Sequence, residues 1–154
     1  MCFSKITNLF KKKTVAIPES ETIELQREEF ISLMKARGIE CMNGSSPLDS
    51  SVRLASKAEL DRIAPNLTYP NAWYIKDLWD CDDFGLQAQL DAGRLFEVTV
   101  RLGLGNMPSG YHGFAITLDR ELKLWLLEPN AGWPYAGKWF APGENGYKPD
   151  KVFI

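Results

Sequence analysis

The 154-residue sequence has little charge imbalance, few cysteines and a single histidine. Its formal net charge is −2, whereas a dedicated nucleic-acid-binding domain is usually clearly basic. No apolar run is long enough to predict a membrane-spanning helix. The three cysteines, Cys2, Cys41 and Cys81, are too few and too scattered for a disulfide framework or a zinc ribbon. Histidine-dependent chemistry, if present, must therefore use His112.

The composition is that of one globular domain, with 45% hydrophobic and 25% charged residues. We predict a basic N-terminal arm over residues 1–17 and a single domain over residues 18–154. Residues 1–13 alternate apolar side chains with lysines, which leaves two interpretations open: a solvated arm, or a short amphipathic segment that contacts a membrane surface or a partner. Since no secretory signal is apparent, we expect a cytoplasmic or virion-associated protein.

Helices are predicted in the first half and strands in the second. Ser20 would cap a helix that ends near Arg37, and a Ser56–Glu59 capping box would open a second helix. Asp80 would cap a third helix from Cys81 to about Ala92. Alternating apolar residues then predict four strands, at 95–104, 111–118, 122–127 and 148–154. We therefore predict an α+β fold in which helices pack on an antiparallel sheet.

The predicted hairpin places the only histidine beside a glutamate. A three-residue loop at 119–121 would pair the apolar residues of strands 111–118 and 122–127 and set His112 opposite Glu128. A longer loop with an odd number of residues would align the same faces of the two strands. A two-residue loop would instead mix polar and apolar positions.

Cys81 would stand in the first turn of its helix, where exposed amides and the helix dipole favour a thiolate. A cysteine, a histidine and an acid that orients the histidine form a triad for nucleophilic acyl transfer. Asp82 and Asp83 oppose the thiolate, and each member also has a purely structural interpretation, a buried thiol or a hydrogen-bonded histidine. The combination nevertheless predicts a nucleophilic site.

Three short segments carry a family resemblance: Trp79 to Phe84 (WDCDDF), Tyr111 to Ile116 (YHGFAI) and Trp125 to Asn130 (WLLEPN). Together they resemble papain-like cysteine peptidases. Within that clan the sequence is most similar to the C-terminal protease domain of the agglutinin from Marasmius oreades, a type with small relatives in bacteriophages and bacteria. The similarity covers roughly residues 40–154.

The resemblance implies a papain-like fold with Cys81 as nucleophile, His112 as base and Glu128 as the orienting acid. Papain-like enzymes usually place a glutamine upstream of the cysteine, but residues 74–80 contain none. We also predict that Asn71 and Asp80 support an oxyanion. A substrate cleft is predicted near Trp79 and Trp133. No cofactor is required by the sequence, although the resemblance implies calcium near Asp80, Asp82 or Asp83.

The predicted function is therefore a cysteine hydrolase that cleaves a peptide or amide bond in a peptide or protein substrate. One alternative is a peptidoglycan amidase or endopeptidase of the CHAP or NlpC type. A further alternative is a non-catalytic, phage-encoded binding protein on the same fold. Its partner would contact the aromatic loop of Trp133, Tyr135, Trp139 and Phe140.

Overall fold

The computed structural model describes residues 16–42 and 49–154. Most of the predicted arm, including Cys2, lies outside these ranges. Three helices are present in them: α1 (Arg27–Ala36), α2 (Lys57–Ile63) and α3 (Cys81–Phe96). The strands are β1 (Thr22–Gln26), β2 (Glu40–Met42), β3 (Ser51–Ala55), β4 (Arg101–Met107), β5 (Gly110–Leu118), β6 (Leu124–Leu127), β7 (Trp139–Phe140) and β8 (Lys148–Phe153).

A six-stranded sheet forms the centre of the structure, with the strand order β2-β8-β4-β5-β6-β7. Its pairings are antiparallel except for β2 and β8, which run parallel at one edge. A separate two-stranded antiparallel sheet joins β1 to β3. Because β5 lies near the middle of the large sheet, His112 is carried by a well-supported strand.

The two faces of the large sheet bury different helices. Alternate residues of β5 point to opposite faces, so Ala115 packs with Phe84 and Ala88 of α3. Phe114 and Ile116 belong to the second core, which contains Phe30 and Met34 of α1. Side chains on both faces of β5 are therefore buried, and the strand cannot slip by one residue without exchanging the two cores.

Two glycines allow α3 to lie directly on the sheet. A Cβ atom at Gly85 would lie 2.5 Å from Leu102 Cδ1, and one at Gly113 would lie 2.9 Å from the Cα of Asp82. Neither position has room for a side chain. The first turn of α3 is consequently held against β5, immediately beside His112.

The predicted helix from Ser20 to Arg37 is wrong in its first part. Thr22–Gln26 is extended and pairs with β3, and the helix begins only at Arg27. The β-branched pair Thr22 and Ile23 suits a strand better than a first helical turn. The predicted end of the helix is close to the observed one, because Gly38 adopts a φ of 76° just beyond it.

The predicted boundary between the third helix and the first strand is also wrong. Gly93 does not end α3, which continues to Phe96 and stops where Glu97 adopts a left-handed conformation (φ 57°). The following strand therefore starts at Arg101 and not at residue 95. A glycine inside a helix lowers its stability but does not by itself terminate it.

These differences overturn the predicted fold class. The sequence predicted an α+β, papain-like arrangement of N-terminal helices and an antiparallel sheet. A strand of a separate sheet instead precedes the first α-helix of the described chain, and the main sheet is mixed. A strand was predicted at the position of β8 but none at β2, and the two are distant in the sequence, so their parallel pairing was not predicted.

No helix in residues 16–42 or 49–154 combines the length and the apolar character needed to cross a lipid bilayer.

Candidate functional site

The structure brings together the three residues that the sequence singled out, from three separate elements. Cys81 is the first residue of α3, His112 lies near the start of β5, and Glu128 directly follows β6. Cys81 and Glu128 both hydrogen-bond the imidazole ring of His112. The arrangement is therefore a thiol, an imidazole and a carboxylate in sequence, with the imidazole in the middle.

The Glu128 carboxylate is buried and held by three donors. Its Oε2 atom lies 2.7 Å from His112 Nε2 and accepts a hydrogen bond of 2.9 Å from the Tyr147 hydroxyl. Its Oε1 atom accepts the backbone N–H of Asn130 at 2.9 Å. These three hydrogen bonds fix the side chain in one orientation toward the ring.

The hairpin reaches this geometry through a longer loop than predicted. Leu118 pairs with Leu124, not with Leu122, so the connection spans residues 119–123. Asp119 stabilises it, because its Oδ1 accepts the backbone N–H groups of Glu121 and Lys123, each at 2.9 Å. The loop has an odd number of residues, as predicted, so the predicted faces of the two strands are aligned with each other. Glu128 contacts His112 from beyond the end of β6, and not as a directly opposed strand pair.

His112 is 6% exposed, yet its environment favours the protonated ring. Burial is the largest influence and opposes protonation, but hydrogen bonds and charges at Cys81 and Glu128 outweigh it. They raise the pKa of His112 from 6.5 to about 9. At neutral pH the ring is therefore an imidazolium beside the Cys81 sulfur.

The first turn of α3 carries a capping box, as Asp80 donates its backbone N–H to the Asp83 carboxylate at 3.0 Å. The carboxyl groups of Asp80 and Asp82 hydrogen-bond each other, which lowers the pKa of Asp80 and raises that of Asp82. Cys81 thus stands between two acids whose carboxyl groups are bonded to each other.

A metal ion has one candidate position in the described residues. Ligand atoms of Asp80, Cys81 and Asp82 lie within 4.8 Å of one another. Calcium takes six to eight oxygen ligands, whereas this set offers two mutually hydrogen-bonded carboxyl groups and a sulfur. The donor set therefore does not fit the calcium that the resemblance implied.

A groove of about 210 Å³ opens over the thiol and the imidazole. Its polar floor is formed by Cys81, Asp82 and His112, and its walls by Leu102, Leu104, Tyr111, Gly113 and Phe153. The volume and the mainly apolar walls fit one side chain of moderate size.

The predicted supporting residues lie at different distances from the groove. Asn71 does not line it and instead lies in a second cavity of about 300 Å³, together with Tyr74, Asn130, Gly132 and Trp133. The Trp133 ring is 5.1 Å from the His112 ring, centroid to centroid, so this cavity adjoins the groove. Trp79 packs against the core beneath α3, and its buried Nε1 has no hydrogen-bond partner among the described residues.

Tyr147 is the functional residue that sequence reasoning missed. It is fully buried, donates to Glu128, and its ring lies 6.1 Å from the ring of His112. Its position depends on how the chain travels between β6 and β8, so no local pattern could have identified it.

The aromatic loop proposed for a binding partner is only partly accessible. Trp139 and Phe140 form β7 and are each 5% exposed, whereas Tyr135 is 43% exposed. A partner in this region would therefore meet Trp133 and Tyr135.

Comparison with known proteins gives structural neighbours alone. No family model matches the chain, and no curated protein matches it. A solved structure of a lectin from Polyporus squamosus, bound to the human-type influenza-binding epitope Neu5Acα2-6Galβ1-4GlcNAc, superposes with a TM-score of 0.59 at 15% identity. It covers 85% of this chain and 49% of its own. A complex of PSL1a with E64 gives a TM-score of 0.57, also at 15% identity, and covers 85% and 51%. This chain spans about half the length of either neighbour, and the likeness concerns the fold.

These neighbours contradict part of the sequence-based interpretation. The protein named in the first structure is a lectin. By this comparison three predictions are therefore wrong. They are the papain-like fold, the cysteine peptidase or amidase, and the hydrolase description that follows from them. The resemblance to a fungal agglutinin domain stays a prediction, and the neighbours agree better with the alternative of a binding protein on this fold.

Proposed function

We propose that this chain is a non-catalytic binding protein that holds a peptide ligand in the groove beside Cys81 and engages it through the Cys81 thiol. One observation carries the proposal: the buried Glu128 carboxylate holds the imidazole of His112 against the thiol. This arrangement gives the groove a chemically distinct floor.

The positive charge of the His112 ring makes the neighbouring thiol more reactive toward a ligand. Because the pKa of His112 is raised to about 9, the ring carries a proton at neutral pH. A thiol beside a cationic imidazole is more nucleophilic than a free thiol. A ligand with an electrophilic carbon would therefore be captured at Cys81.

The walls of the groove indicate what part of a peptide would enter it. Leu102, Leu104 and Phe153 surround a space of about 210 Å³, which suits a medium-sized apolar side chain. Tyr111 at the rim is 51% exposed and is available to contact the neighbouring peptide units. The complex of PSL1a with E64 supports the proposal, because a structural neighbour binds a small molecule.

The first test is the intact mass of the protein after incubation with E64, a thiol-reactive epoxide, and separately with iodoacetamide. With E64, the Cys81 sulfur forms a bond to an epoxide carbon, the carbon–oxygen bond breaks, the oxygen takes a proton from His112, and the thiol proton replaces it on the ring. In protein whose Cys2 and Cys41 are replaced by Ser, we expect one adduct per chain, and none when Cys81 is also replaced by Ala. Absence of an adduct with either reagent would overturn the reactive thiol.

The second test asks whether binding leads to turnover. Wild type and Cys81→Ala are incubated with a mixture of unmodified peptides, and new chain termini are measured by mass spectrometry. We expect no products from either protein. Products from wild type that Cys81→Ala does not form would overturn the non-catalytic assignment.

A second candidate function is glycan binding in the cavity beside the groove. The side chains of Asn71 and Asn130 can pair with hydroxyl groups, and the rings of Tyr74 and Trp133 offer faces on which a sugar can stack. The Polyporus squamosus lectin binds a sialylated trisaccharide, which supports this choice of ligand. Calorimetric titration with Neu5Acα2-6Galβ1-4GlcNAc is expected to show binding that Trp133→Ala abolishes and Tyr135→Ala retains. No heat change with wild type would exclude this trisaccharide as the ligand.

The expected compartment follows from the same thiol. Cys41 and Cys81 both carry free thiols. Free thiols persist in reducing surroundings, which supports the cytoplasmic or virion-associated location expected from the sequence.

A further inference from the structure

A second buried carboxylate lies on α3, ten residues after Cys81. Asp91 is 7% exposed, and its Oδ2 atom accepts hydrogen bonds from the Tyr69 hydroxyl at 3.0 Å and from Gln87 Nε2 at 2.9 Å. Its Oδ1 atom accepts a hydrogen bond from Arg94 at 2.8 Å. These bonds fix the Tyr69 side chain to the helix that begins with the thiol.

The backbone of Tyr69 contacts the segment that follows Glu128. The Tyr69 N–H donates to the carbonyl of Pro129 at 2.7 Å, and the Tyr69 carbonyl accepts the N–H of Ala131 at 2.9 Å. These two bonds form a parallel bridge between Tyr69 and Asn130. The segment 129–131 is therefore held in place from outside the large sheet.

One peptide unit connects this bridge to the candidate site. The carbonyl of the Pro129–Asn130 peptide is bonded to Tyr69, and the N–H of the same peptide is bonded to Glu128 Oε1. A trans peptide is planar, so its carbonyl and N–H point in opposite directions and turn together. Fixing the carbonyl therefore fixes the direction of the N–H that holds the Glu128 carboxylate.

The Tyr69 ring is itself restrained on both sides. It stacks on Trp73 with a centroid distance of 5.5 Å and contacts Phe84 of α3 at 6.3 Å. The hydroxyl and the two ring contacts leave the side chain a single orientation. A displacement of the ring would be transmitted to the backbone that contacts Pro129.

We propose that Tyr69, anchored by Asp91, is a positioning residue for Glu128, and that it sets the protonation of His112 through the Pro129–Asn130 peptide. The proposal rests on the role of His112 and Glu128 in the groove described above. It links α3 to the carboxylate by a route separate from the direct contact of Cys81 with His112.

The test measures the titration of His112 by NMR in wild type, Tyr69→Phe and Asp91→Asn. His112 is the only histidine, so its ring gives one set of signals. The wild-type ring is expected to titrate near 9. In both variants we expect the pKa to fall toward 6.5 by about half a unit, a threefold loss of proton affinity.

The matched control is Val52→Ala, in the core on the other face of the sheet. It destabilises the protein without contacting the 128–131 segment, and its His112 titration should equal that of wild type. If Tyr69→Phe and Asp91→Asn lower stability but leave the titration unchanged, Tyr69 is structural and the proposal is overturned.

Labelling of Cys81 with iodoacetamide in the same samples separates this proposal from the proposed function. A wild-type thiol that fails to react overturns the proposed function. A shifted titration in Tyr69→Phe supports the positioning role whichever way the labelling turns out.

Discussion

Glu128 and Asp91 are both buried carboxylates, and each accepts hydrogen bonds from three groups. Their partners differ in one respect. Asp91 is paired with Arg94, which is permanently charged and 70% exposed, whereas Glu128 is paired with His112, which is 7% exposed and can lose its proton. Satisfied hydrogen bonds therefore do not distinguish a functional carboxylate from a structural one. A functional carboxylate is distinguished by a buried titratable partner that lies beside a thiol.

Replacement of Glu128 or Asp91 by alanine should give the largest difference, and the quantity compared is the loss in the free energy of unfolding. Glu128→Ala leaves the His112 ring and the Tyr147 hydroxyl buried without an acceptor, and we expect a loss of about 4 kcal/mol in the free energy of unfolding. Asp91→Ala should cost about 2 kcal/mol, because Arg94 can turn into solvent. Urea unfolding at pH 6 measures both values. Equal losses would mean that exposure of the cation does not matter.

The pH dependence of stability sharpens the same comparison. The folded pKa of His112 lies above its unfolded value of 6.5, so its contribution is complete below pH 6.5 and is lost as the pH rises to about 9. At 1.36 kcal/mol per unit, this loss amounts to about 3 kcal/mol. Urea unfolding between pH 6 and pH 9.5 measures it.

Two variants serve as controls for this pH profile. His112→Asn should flatten the profile, whereas Asp91→Asn should retain most of it, with its upper end lowered by the half unit expected for the pKa of His112. The pKa of Asp91 is lowered in the fold, because hydrogen bonds from Arg94, Gln87 and Tyr69 outweigh the effect of burial. Its contribution is therefore lost only as the pH falls below about 3.8. A wild-type profile that is flat from pH 6.5 to 9 would contradict the charged imidazole.

Glycines near the two ends of α3, Gly113 of β5 beside its first turn and Gly93 within its last turns, can be compared. Gly113→Ala places a methyl group 2.9 Å from the backbone of Asp82, so we expect a loss of about 2 kcal/mol and slower alkylation of Cys81. Gly93→Ala, near Asp91, meets no atom within 4 Å and should add about 0.5–1 kcal/mol through helix propensity. Thermal unfolding and the rate of iodoacetamide labelling measure both variants. Unchanged labelling in Gly113→Ala would show that the close approach is not needed.

Loss of one tyrosine hydroxyl should have the smallest effect. Tyr147→Phe removes one of the donors to Glu128 Oε2 and should lower stability by about 1 kcal/mol. His112 is then the only donor to Glu128 Oε2, so that oxygen holds the proton of the ring more strongly. The pKa of His112 should therefore rise further. NMR titration of the ring measures the change, and a fall in the pKa would argue against Tyr147 as a competing donor.

The sequence identified the local parts of the site better than the overall fold. The Asp80 cap, the Ser56 cap and the strand from residue 111 to 118 depend on neighbouring residues, and all three are present. The capping box at Ser56 is incomplete, because the Ser56 N–H donates to the carbonyl of Glu21 and not to Glu59. The parity of the hairpin follows from its apolar pattern, and it places His112 within reach of Glu128. These features are visible in a short stretch of sequence because a few adjacent residues determine them.

What the sequence did not reveal depends on distant pairings. Thr22–Gln26 is a strand only because β3 lies beside it, and the loop of residues 119–123 is long only because Asp119 closes it from within. Tyr147 and Tyr69 contact the site from segments with no motif. The fold class was mispredicted for the same reason, since the parallel edge pairs strands from opposite halves of the chain.

The parallel edge also has a consequence for how the protein is synthesised. Glu40 pairs with Lys151, and β8 lies between β2 and β4 in the sheet. On the ribosome, β2 and β4 must therefore wait until residue 153 has been synthesised before β8 can join them. Contacts of such sequence separation slow folding. During that interval the edge of β4 is unpaired, so chaperone binding and aggregation during translation are both expected to depend on the speed at which β8 arrives.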